Sequence, residues 1–331
     1  MASPKGIQAF QRVLIVGAGN IAGGFDEGRP VSDPPYTHAG AYSRDGRFNV
    51  EVCVEPNLDR RVSFMKAWSV PSGVGSIDET LNRAGQFDVV SVCSPTGCHV
   101  HDLETALMLK PKLIFCEKPV ASLLRDSERL VDECRKAGVL LAVNHTRRWD
   151  PAIPELKADI QSGKWGQLRS VVGYYNKGIL NNGSHMLDLL YLLFGPLEIV
   201  KVGKPISDFF PDDPTIPVWL ESKDGLPIHL VCGHAGDFAF FELEIVFSGG
   251  VLTMEDGGFF WRERQVVENG VFKGYLSLEE GARRKGQYSL AMSAAVDNIY
   301  RAIMGGDLLA STGESALVAQ RICSQIKQQV R

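Results

Sequence analysis

A glycine-rich segment near the start of the chain has the residue types and spacing of a phosphate-binding turn. Gly17, Gly19 and Ala22 form a G-x-G-x-x-A pattern that directly follows an apolar run and includes Asn20 and Ile21. Gly17 permits a tight turn, Gly19 lets the backbone approach a pyrophosphate, and Ala22 is small enough for a helix to pack on a sheet. The N-terminus of the following helix would face the anion. The pattern therefore predicts a dinucleotide-binding site at the start of a β-α-β unit.

Glu55, at the end of the second apolar run, indicates which dinucleotide is bound. A carboxylate at this position accepts hydrogen bonds from the adenosine ribose hydroxyls and repels a 2′-phosphate, so NAD is favoured over NADP. A solvent-exposed carboxylate at a strand end is the alternative interpretation. Arg60 and Arg61 lie nearby in sequence and keep NADP open as the cofactor.

Further segments with reactive residues follow later strands, and their order is more specific than any one of them. They read SPTGCH at 94–99, EKP at 117–119, NHTRRWDP at 144–151 and GSHMLD at 183–188. In this order they resemble the motifs of the glucose–fructose oxidoreductase/inositol dehydrogenase (Gfo/Idh/MocA) family. The closing segment 292–327 also looks like that family's C-terminal helices, so the resemblance covers nearly the whole chain.

The resemblance implies reactive roles for one lysine and one histidine. Lys118 follows a strand, where ligands bind in open α/β sheets, and beside a nicotinamide it would stabilise alkoxide character on the reacting hydroxyl. His185 would act as general base, because neutral imidazole exchanges protons near physiological pH. Asp188, on the same helical face, would orient the imidazole or pair within its domain. An ordinary loop lysine and a structural histidine remain the alternative interpretations.

The remaining candidate site residues lie in or near the same segments. Contact with the cofactor is expected for Gly17, Gly19, Asn20, Ile21, Ala22, Glu55, Ser94, Pro95, Thr96, His99, Glu117, Lys118 and Asn144. Contact with the substrate is expected for Lys118, Arg147, Tyr175, Lys177, Asn181 and His185. Asn181 joins Lys118 and His185 in the expected catalytic set. His99 is more typical of a structural or helix-start residue than of a catalyst, and the resemblance suggests a cis Lys118–Pro119 bond.

Asn181 departs from the family pattern. Many family members carry an aspartate four residues before the histidine, whereas this chain has an asparagine there. Asparagine positions a hydroxyl but cannot act as a base, so the proton chemistry would rest on His185 with help from Lys118. Such an asparagine is similar to what occurs in branches that act on nucleotide-linked sugars, and the resemblance therefore favours that substrate class.

An insert after the glycine-rich turn is the second departure. The family usually has a histidine soon after its last fingerprint glycine, whereas here His38 follows the inserted segment FDEGRPVSDPPY at 25–36. Its proline, glycine and aspartate residues predict a loop instead of a longer helix. The loop would overhang the cofactor or substrate pocket, or it would be a passive surface loop; both interpretations stay open.

Composition excludes several classes of protein. A net charge of −4 and a pI near 6.0 give no basic field for nucleic acid. No apolar run approaches the roughly 20 residues needed to span a bilayer, and the first run reads as a strand instead of a signal peptide. Seven cysteines without a CxxC pair fit reduced thiols in a cytoplasmic protein that holds no metal.

The elements that must position these residues predict two domains, since 331 residues exceed one ordinary core. In 1–147, Val/Ile/Leu runs alternate with helical patterns, which predicts an α/β Rossmann domain with a doubly wound parallel sheet. In 148–331, successive strands without intervening helices predict an α+β domain with a large, mostly antiparallel open sheet. Its aromatic sheet face favours a homodimer or homotetramer.

The boundaries of these elements follow from the same patterns. The predicted strands are 12–17, 48–54, 88–93, 112–116, 139–143, 168–175, 197–203, 216–221, 226–234, 238–247 and 250–254. The predicted helices are 58–68, 77–84, 99–109, 122–137, 151–162, 288–304 and 312–329.

These residues predict an NAD-dependent oxidoreductase that moves a hydride between a nicotinamide and a secondary alcohol or ketone of a sugar or nucleotide sugar. The main alternative is a catalytically inactive dinucleotide-sensing or regulatory protein of the same fold. Lys118 and His185 argue against it, whereas Asn181 leaves it some room. An imine, enone or biliverdin-type reductase is a third interpretation, in which His185 would be less needed.

Overall fold

Unbroken apolar runs of the N-terminal half form one parallel sheet in the computed structural model, which describes residues 10–330. The strands are β1 (Gln11–Val16), β2 (Phe48–Val54), β3 (Ser72–Val74), β4 (Val89–Val92), β5 (Leu113–Cys116) and β6 (Leu140–Val143). The helices between them are α1 (His38–Asp45), α2 (Leu58–Trp68), α3 (His99–Met108) and α4 (Leu124–Ala137). Every residue of β4 and β5 is buried, as expected of strands covered on both faces.

The strand order of this sheet is β3-β2-β1-β4-β5-β6, and all neighbours pair in parallel. The order reverses between β1 and β4. In sheets of this kind, ligands bind at the carboxyl ends of the strands next to the reversal. The predicted Rossmann domain with a doubly wound parallel sheet is confirmed.

A second, larger sheet follows in the chain. Its elements and their neighbours are α5 (Ala152–Ser162), β7 (Leu168–Tyr175), α6 (Ser184–Phe194), β8 (Leu197–Val202), β11 (Val218–Ser222), β12 (Pro227–Cys232), β13 (Phe241–Phe247), β14 (Gly250–Glu255), β15 (Phe260–Glu268), β16 (Leu276–Leu278) and β17 (Ala282–Lys285). The order is β16-β15-β14-β13-β7-β12-β11-β8, with β17 on β15. β7 and β12 pair in parallel and the other neighbours antiparallel, which confirms the predicted sheet.

Alternating burial explains how this sheet makes a core. Along β11, Val218 and Leu220 are buried, whereas Trp219 between them is 43% exposed. Leu187 and Leu190 of α6 are fully buried in the same cluster as Leu220. One sheet face is therefore covered by apolar side chains, as the period of two in the sequence requires. A separate ribbon of two strands, β9 (Ile206–Phe210) and β10 (Asp213–Thr215), lies outside this sheet.

The described residues separate into two compact units that are not simple halves of the chain. The first unit runs to Trp149 and includes Leu290–Leu317, and the second comprises Asp150–Ser289 and the residues from Val318 onwards. The sequence patterns predicted a single domain for residues 148–331. The late segment returns to the first unit because α7 (Ala291–Ile303) contributes to its core Met292, Ala295, Val296 and Ile299, all at most 3% exposed. The unit boundary then falls within α8 (Gly313–Gln328).

Several elements differ from their predicted form. The segment predicted as a helix at 77–84 is a 3-10 helix, Ile77–Arg83. The short strands β3, β9, β10, β16 and β17 and the charge-rich β15 were not predicted. Between residues 10 and 330, none of the helices is long and apolar enough to span a bilayer.

The glycine-rich turn does not open a continuous helix, which corrects the expectation that a helix N-terminus begins there. The chain makes one turn, in which the amides of Gly23 and Gly24 donate to Gly19 O at 3.2 Å, and then leaves as the insert. α1 begins only at His38. Its first amide donates to Ile21 O at 3.2 Å, and the next donates to Ala22 O at 2.8 Å. The helix is thus split, and its second part is hydrogen-bonded back onto the first.

The insert is organised around one buried carboxylate. Asp26 is 2% exposed and accepts hydrogen bonds from the amides of Tyr36 and Thr37 (2.8 Å each) and from Thr37 Oγ1 (2.7 Å). Arg29 Nη1 donates to its other oxygen at 2.7 Å. Thr37 in turn caps α1, because its Oγ1 accepts the amide of Gly40 at 3.0 Å. The inserted segment is a loop, as predicted, but an internally anchored one.

We expect Asp26→Asn to lower the free energy of unfolding by about 2–4 kcal/mol, because an amide cannot accept all these donors. Burial alone raises the pKa of Asp26, but hydrogen bonds from Thr37, Tyr36 and Arg29 outweigh it, and the pKa lies below its ordinary value. The stability from such a depressed pKa is present above the unfolded value of about 3.9 and is lost as pH falls through the native one. Urea unfolding at decreasing pH should therefore show a smaller acid-induced loss in the variant.

Asp33→Asn is the matched control for this measurement. Asp33 lies in the same loop, but its side chain is 43% exposed and only 3.6 Å from Arg29 Nη2. Exposed pairs of this kind contribute about 0–1 kcal/mol. Equal losses in the two variants would mean that Asp26 does not anchor the insert.

Candidate functional site

The glycine-rich turn has the backbone geometry that a pyrophosphate site needs. Gly17 has φ +94°, and a Cβ there would lie 2.8 Å from Cys93 O and 2.9 Å from Ser94 N. Only glycine avoids both the strain and the overlap. A Cβ at Gly19 would meet no heavy atom within 4 Å, so space is open in front of this backbone. Ala22 is fully buried in the core, as its packing role requires.

Two other residues of the turn differ in exposure. Asn20 is exposed and Ile21 is half-buried. Both are therefore accessible at the surface of the turn, where contact with a cofactor was expected. The fit of the turn to a dinucleotide rests on its open, glycine-lined backbone.

Glu55 braces the glycine-rich turn. It is 7% exposed, with Oε2 accepting the amide of Ala18 at 3.1 Å and Oε1 accepting the amide of Asn57 at 3.0 Å. Arg61 Nη1 donates to the Glu55 carbonyl at 2.6 Å, whereas Arg60 is exposed. The alternative of a free, solvent-exposed carboxylate is wrong. Each carboxylate oxygen has a second lone pair, so the brace leaves capacity for a ribose hydroxyl.

A clamp joins the two turns that follow β4 and β5. His99 begins α3 and is 0% exposed; its Nδ1 lies 2.9 Å from Pro119 O and its Nε2 lies 2.9 Å from Ser94 O. It therefore lies behind the turns and not on their surface, which favours the structural role over cofactor contact. Pro95 is exposed and Thr96 is half-buried, so these two residues form the accessible part of the first turn.

Asp102 supports the same turn and was not singled out from the sequence. Ser94 Oγ donates to Asp102 Oδ2 at 2.5 Å. Burial raises the pKa of this carboxyl above its ordinary value. No sequence motif indicates that Ser94 and Asp102 are in contact, because the hydrogen bond forms only once the chain folds into the start of α3.

Glu117 is the centre of a buried polar cluster beside Lys118. Its side chain is 13% exposed; Asn144 Nδ2 donates to Oε1 at 2.6 Å, and His38 Nε2 lies 3.0 Å from the same oxygen. Burial alone raises the pKa of Glu117, but the hydrogen bond and charge of His38, the Asn144 amide and the charge of Lys118 outweigh it, and the pKa is lowered. The carboxylate is thus ionised and can only accept, so Nε2 of His38 carries the hydrogen.

Lys118 lies in the turn that this cluster fixes. It is half-buried, at the carboxyl end of β5, and its bond to Pro119 is cis, as the resemblance suggested. Asn144 is 1% exposed, and Thr146 Oγ1 donates to its Oδ1 at 2.9 Å, which fixes the amide orientation. Asn144, like His99, therefore supports a turn instead of lining its surface.

A one-turn π-helix, Gly178–Gly183, carries Asn181 in the second unit. Asp213 accepts the amides of Leu180 at 2.9 Å and of Asn181 at 2.8 Å. Asn181 Nδ2 donates to Lys177 O at 3.0 Å. π-turns of this kind recur at functional sites. Asp213, a partner far away in sequence, was not among the expected site residues.

His185 follows directly as the second residue of α6. It is half-buried, and its neighbours Met186 and Leu187 are fully buried in the core. Asp188, three residues later, is 2% exposed. The helix therefore holds His185 at its N-terminal end on a rigid, well-packed base.

Tyr175 is not available to a substrate, contrary to expectation. It is 0% exposed in the core of the second unit. Its hydroxyl donates to Ile216 O at 2.6 Å and accepts the Ile216 amide at 3.0 Å. Lys177 is half-buried with Nζ 5.5 Å from the Phe209 ring centroid, and Arg147 is 8% exposed.

Across 10–330, no three His, Cys, Asp or Glu side chains group closely enough to hold a metal ion.

Comparison with known proteins identifies the N-terminal part of the chain. Residues 11–145 match the family model described as "Oxidoreductase family, NAD-binding Rossmann fold". An uncharacterized oxidoreductase of Bacillus subtilis is 32% identical over 111 residues, which cover 33% of this chain and 32% of that protein. The myo-inositol 2-dehydrogenase of Thermotoga maritima is 28% identical over 156 residues, 47% of this chain and 42% of that protein. The chain therefore aligns with less than half the length of these relatives.

Solved structures share the fold over almost the whole chain. The WlbA dehydrogenase from Bordetella pertussis, in complex with NADH and UDP-GlcNAcA, has a TM-score of 0.75 at 17% identity, over 98% of this chain and 96% of that one. The 3-ketoreductase KijD10 from Actinomadura kijaniata has a TM-score of 0.76 at 18% identity, over 96% and 97%. Residues 11–145 therefore match the NAD-binding Rossmann domain of the Gfo/Idh/MocA oxidoreductase family, and the solved structures share the fold of the chain as a whole.

Proposed function

We propose that this chain is an NAD(H)-dependent oxidoreductase that moves a hydride between nicotinamide and a secondary alcohol or ketone of a sugar or nucleotide sugar. The observation that carries the proposal is the carboxyl edge of the Rossmann-order sheet. There the open Gly17–Gly19 turn follows β1, and Lys118 follows β5 beside an anchored, ionised Glu117. The match of residues 11–145 to the model of an NAD-binding oxidoreductase family supports it.

The first unit supplies the cofactor site in this proposal. The turn at Gly17 and Gly19 would hold the pyrophosphate, and Glu55 would accept the ribose hydroxyls. NAD supplies the hydride acceptor, and NADH the donor, when bound. Pro95 and Thr96 would contact the nicotinamide side from the accessible part of their turn.

Three side chains carry the chemistry in this proposal. Lys118 would donate a hydrogen bond to the substrate oxygen and stabilise its alkoxide character as hydride leaves. His185 would take the hydroxyl proton and return it in the reverse direction. Asn181, oriented by its bond to Lys177 O, would position a hydroxyl without taking its proton.

A nucleotide sugar is the substrate class that these residues favour. By the family resemblance, Asn181 stands where many members carry a carboxylate, and the half-buried Lys177 is a cation that would meet a diphosphate. Arg147, at 8% exposure, leaves the substrate set. The WlbA structure is described with UDP-GlcNAcA, and the KijD10 structure with TDP-benzene and NADP. Tyr175 leaves the substrate set because it is buried.

A substrate panel read by nicotinamide absorbance tests the proposal. It should contain UDP-sugars and other nucleotide sugars beside free sugars and inositols, each with NAD, NADH, NADP and NADPH. We expect turnover with at least one nucleotide sugar and with NAD(H) preferred. Stoichiometric NADH binding without turnover across the panel would instead favour the sensing protein, and turnover of imines or enones alone would favour that reductase class.

Glu55 gives a prediction about cofactor choice. We expect Glu55→Ala to weaken NADH binding about 10- to 100-fold, which is about 1.4–2.7 kcal/mol, and to relax discrimination against NADPH. Glu55→Gln keeps the side chain's length but loses its charge, so it should relax discrimination with a smaller loss of NADH affinity. Titration calorimetry with both cofactors measures the ratio.

Glu51→Ala is the control for this pair. Glu51 is on the same strand, β2, and its Oε2 lies 3.3 Å from Arg83, away from the glycine-rich turn. It should bind both cofactors like the wild type. An unaltered NADH/NADPH ratio in the Glu55 variants would exclude Glu55 from the cofactor site.

A further inference from the structure

We propose that His38 is a positioning residue for Lys118, and that the insert serves this role by anchoring His38 through Asp26. The proposal rests on the proposed function of Lys118. His38 and Asp26 touch neither cofactor nor substrate in that function. The insert is then part of the active-site scaffold and not a passive loop.

The His38 ring is held on three sides inside the first unit. It is 0% exposed, and its centroid lies 4.2 Å from that of Phe115 on β5. Nε2 lies 3.0 Å from Glu117 Oε1, and Nδ1 lies 3.3 Å from Ser91 Oγ. Ser91 Oγ is 2.8 Å from Tyr42 OH. A ring with both nitrogens engaged and a packed face has one position.

Glu117 transmits this position to the next residue. Its carboxylate accepts hydrogen bonds from two side chains that are far apart in sequence, His38 at the start of α1 and Asn144 after β6. On the far side of Lys118, Pro119 O is held by His99. The lysine stem therefore starts from a backbone fixed before and after it. Displacement of a reacting group by about 1 Å can cost about 100-fold in rate, so such a brace matters for chemistry.

Asp26 is what makes the His38 position possible in a chain with this insert. The inserted segment separates the glycine-rich turn from α1, on which His38 is the first residue. Asp26 binds the amide and hydroxyl of Thr37, which caps that helix. A Cβ at Gly40 would overlap Asp26, so the helix start lies directly against the carboxylate. The anchor and His38 are thus linked through a single residue.

Two substitutions of His38 separate positioning from simple stability. In His38→Gln the amide nitrogen reaches about as far as Nε2 and keeps a donor for Glu117, whereas in His38→Asn it reaches only as far as Nδ1. Both remove the ring and its packing on Phe115. We expect His38→Asn to lower kcat about tenfold or more with NADH affinity unchanged, and His38→Gln to recover most of that loss.

Hydrogen exchange gives a readout that does not depend on turnover. Peptides covering 113–120 should exchange faster in His38→Asn than in His38→Gln in the NADH-loaded protein. Asp26→Asn should accelerate exchange both at 36–42 and at 113–120, whereas Asp33→Asn should accelerate neither. If the wild type turns over no substrate, the proposed function fails, and the exchange pattern alone still decides this inference.

Three results would overturn the proposal. Equal losses of kcat in His38→Asn and His38→Gln, matched by equal losses of melting temperature, would leave His38 a packing residue only. Wild-type exchange at 113–120 in His38→Asn would show that Glu117 holds its turn without it. Faster exchange in Asp26→Asn confined to 36–42 would remove the insert from the mechanism.

Discussion

Lys118→Ala should lower hydride transfer by about two to four orders of magnitude while NADH affinity stays within about threefold. The turn that carries Lys118 is held by Glu117 on one side and by the His99 contact to Pro119 O on the other. The substitution therefore removes an ammonium group without removing the supports of its turn. Stopped-flow or steady-state nicotinamide absorbance gives kcat, and fluorescence titration gives the NADH dissociation constant.

Two further lysine variants sharpen this result. Lys118→Met keeps an unbranched stem and should be as inactive as alanine, because methionine has neither the charge nor the N–H donors that the proposed role requires. Lys112→Ala is the control, since Lys112 lies beside the start of the same strand, 54% exposed and 3.0 Å from Asp88 Oδ1. Near-normal kcat in either Lys118 variant would show that another group stabilises the reacting oxygen.

His185→Ala should lower kcat about 100- to 10,000-fold, again with NADH affinity largely intact. His185 is half-buried at the start of α6, whose following residues are packed in the core. Loss of the ring should therefore leave the helix in place. A general base also produces an acidic limb in the pH–rate profile, and the residual activity of the variant should lack it.

His101→Ala is the matched histidine control. His101 is exposed on α3, with Nε2 3.1 Å from Asp78 Oδ2, and takes no part in the proposed chemistry. It should keep both kcat and the acidic limb. If His185→Ala also kept the acidic limb, the proton would leave through a different group, and the interpretation as an enone or imine reductase would gain support.

The parallel sheet was predictable because its strands are buried on both faces and read as unbroken apolar runs. The start of α1 was not. Local sequence places a helix directly after the glycine-rich turn, whereas the amides of His38 and Ala39 bond to Ile21 O and Ala22 O across the insert. Strand β15 was not predicted because its charged residues, among them Arg262, Glu263 and Arg264, give no apolar run.

Within the candidate site, sequence identified the turns better than the supports behind them. Tyr174 and Tyr175 are adjacent on β7, so their side chains lie on opposite faces of the sheet. The sequence does not say which face is covered, and Tyr175 is the one that is buried. The contact of His38 with Glu117 joins residues 79 positions apart, and no motif records it. Self-association through the outer sheet face stays a prediction; Trp219, at 43% exposure, lies on that face.

Transfer of deuterium from NADH labelled at the transferable C4 position shows directly which atom of the substrate receives the hydride. With the substrate that the panel identifies, the product should gain one deuterium on a carbon that bears a hydroxyl, as read by mass spectrometry and NMR. Lys118→Ala should slow this transfer without redirecting it. Deuterium retained on the nicotinamide, or found on a carbon that bears nitrogen or belonged to a C=C bond, would contradict hydride transfer at a carbon–oxygen centre.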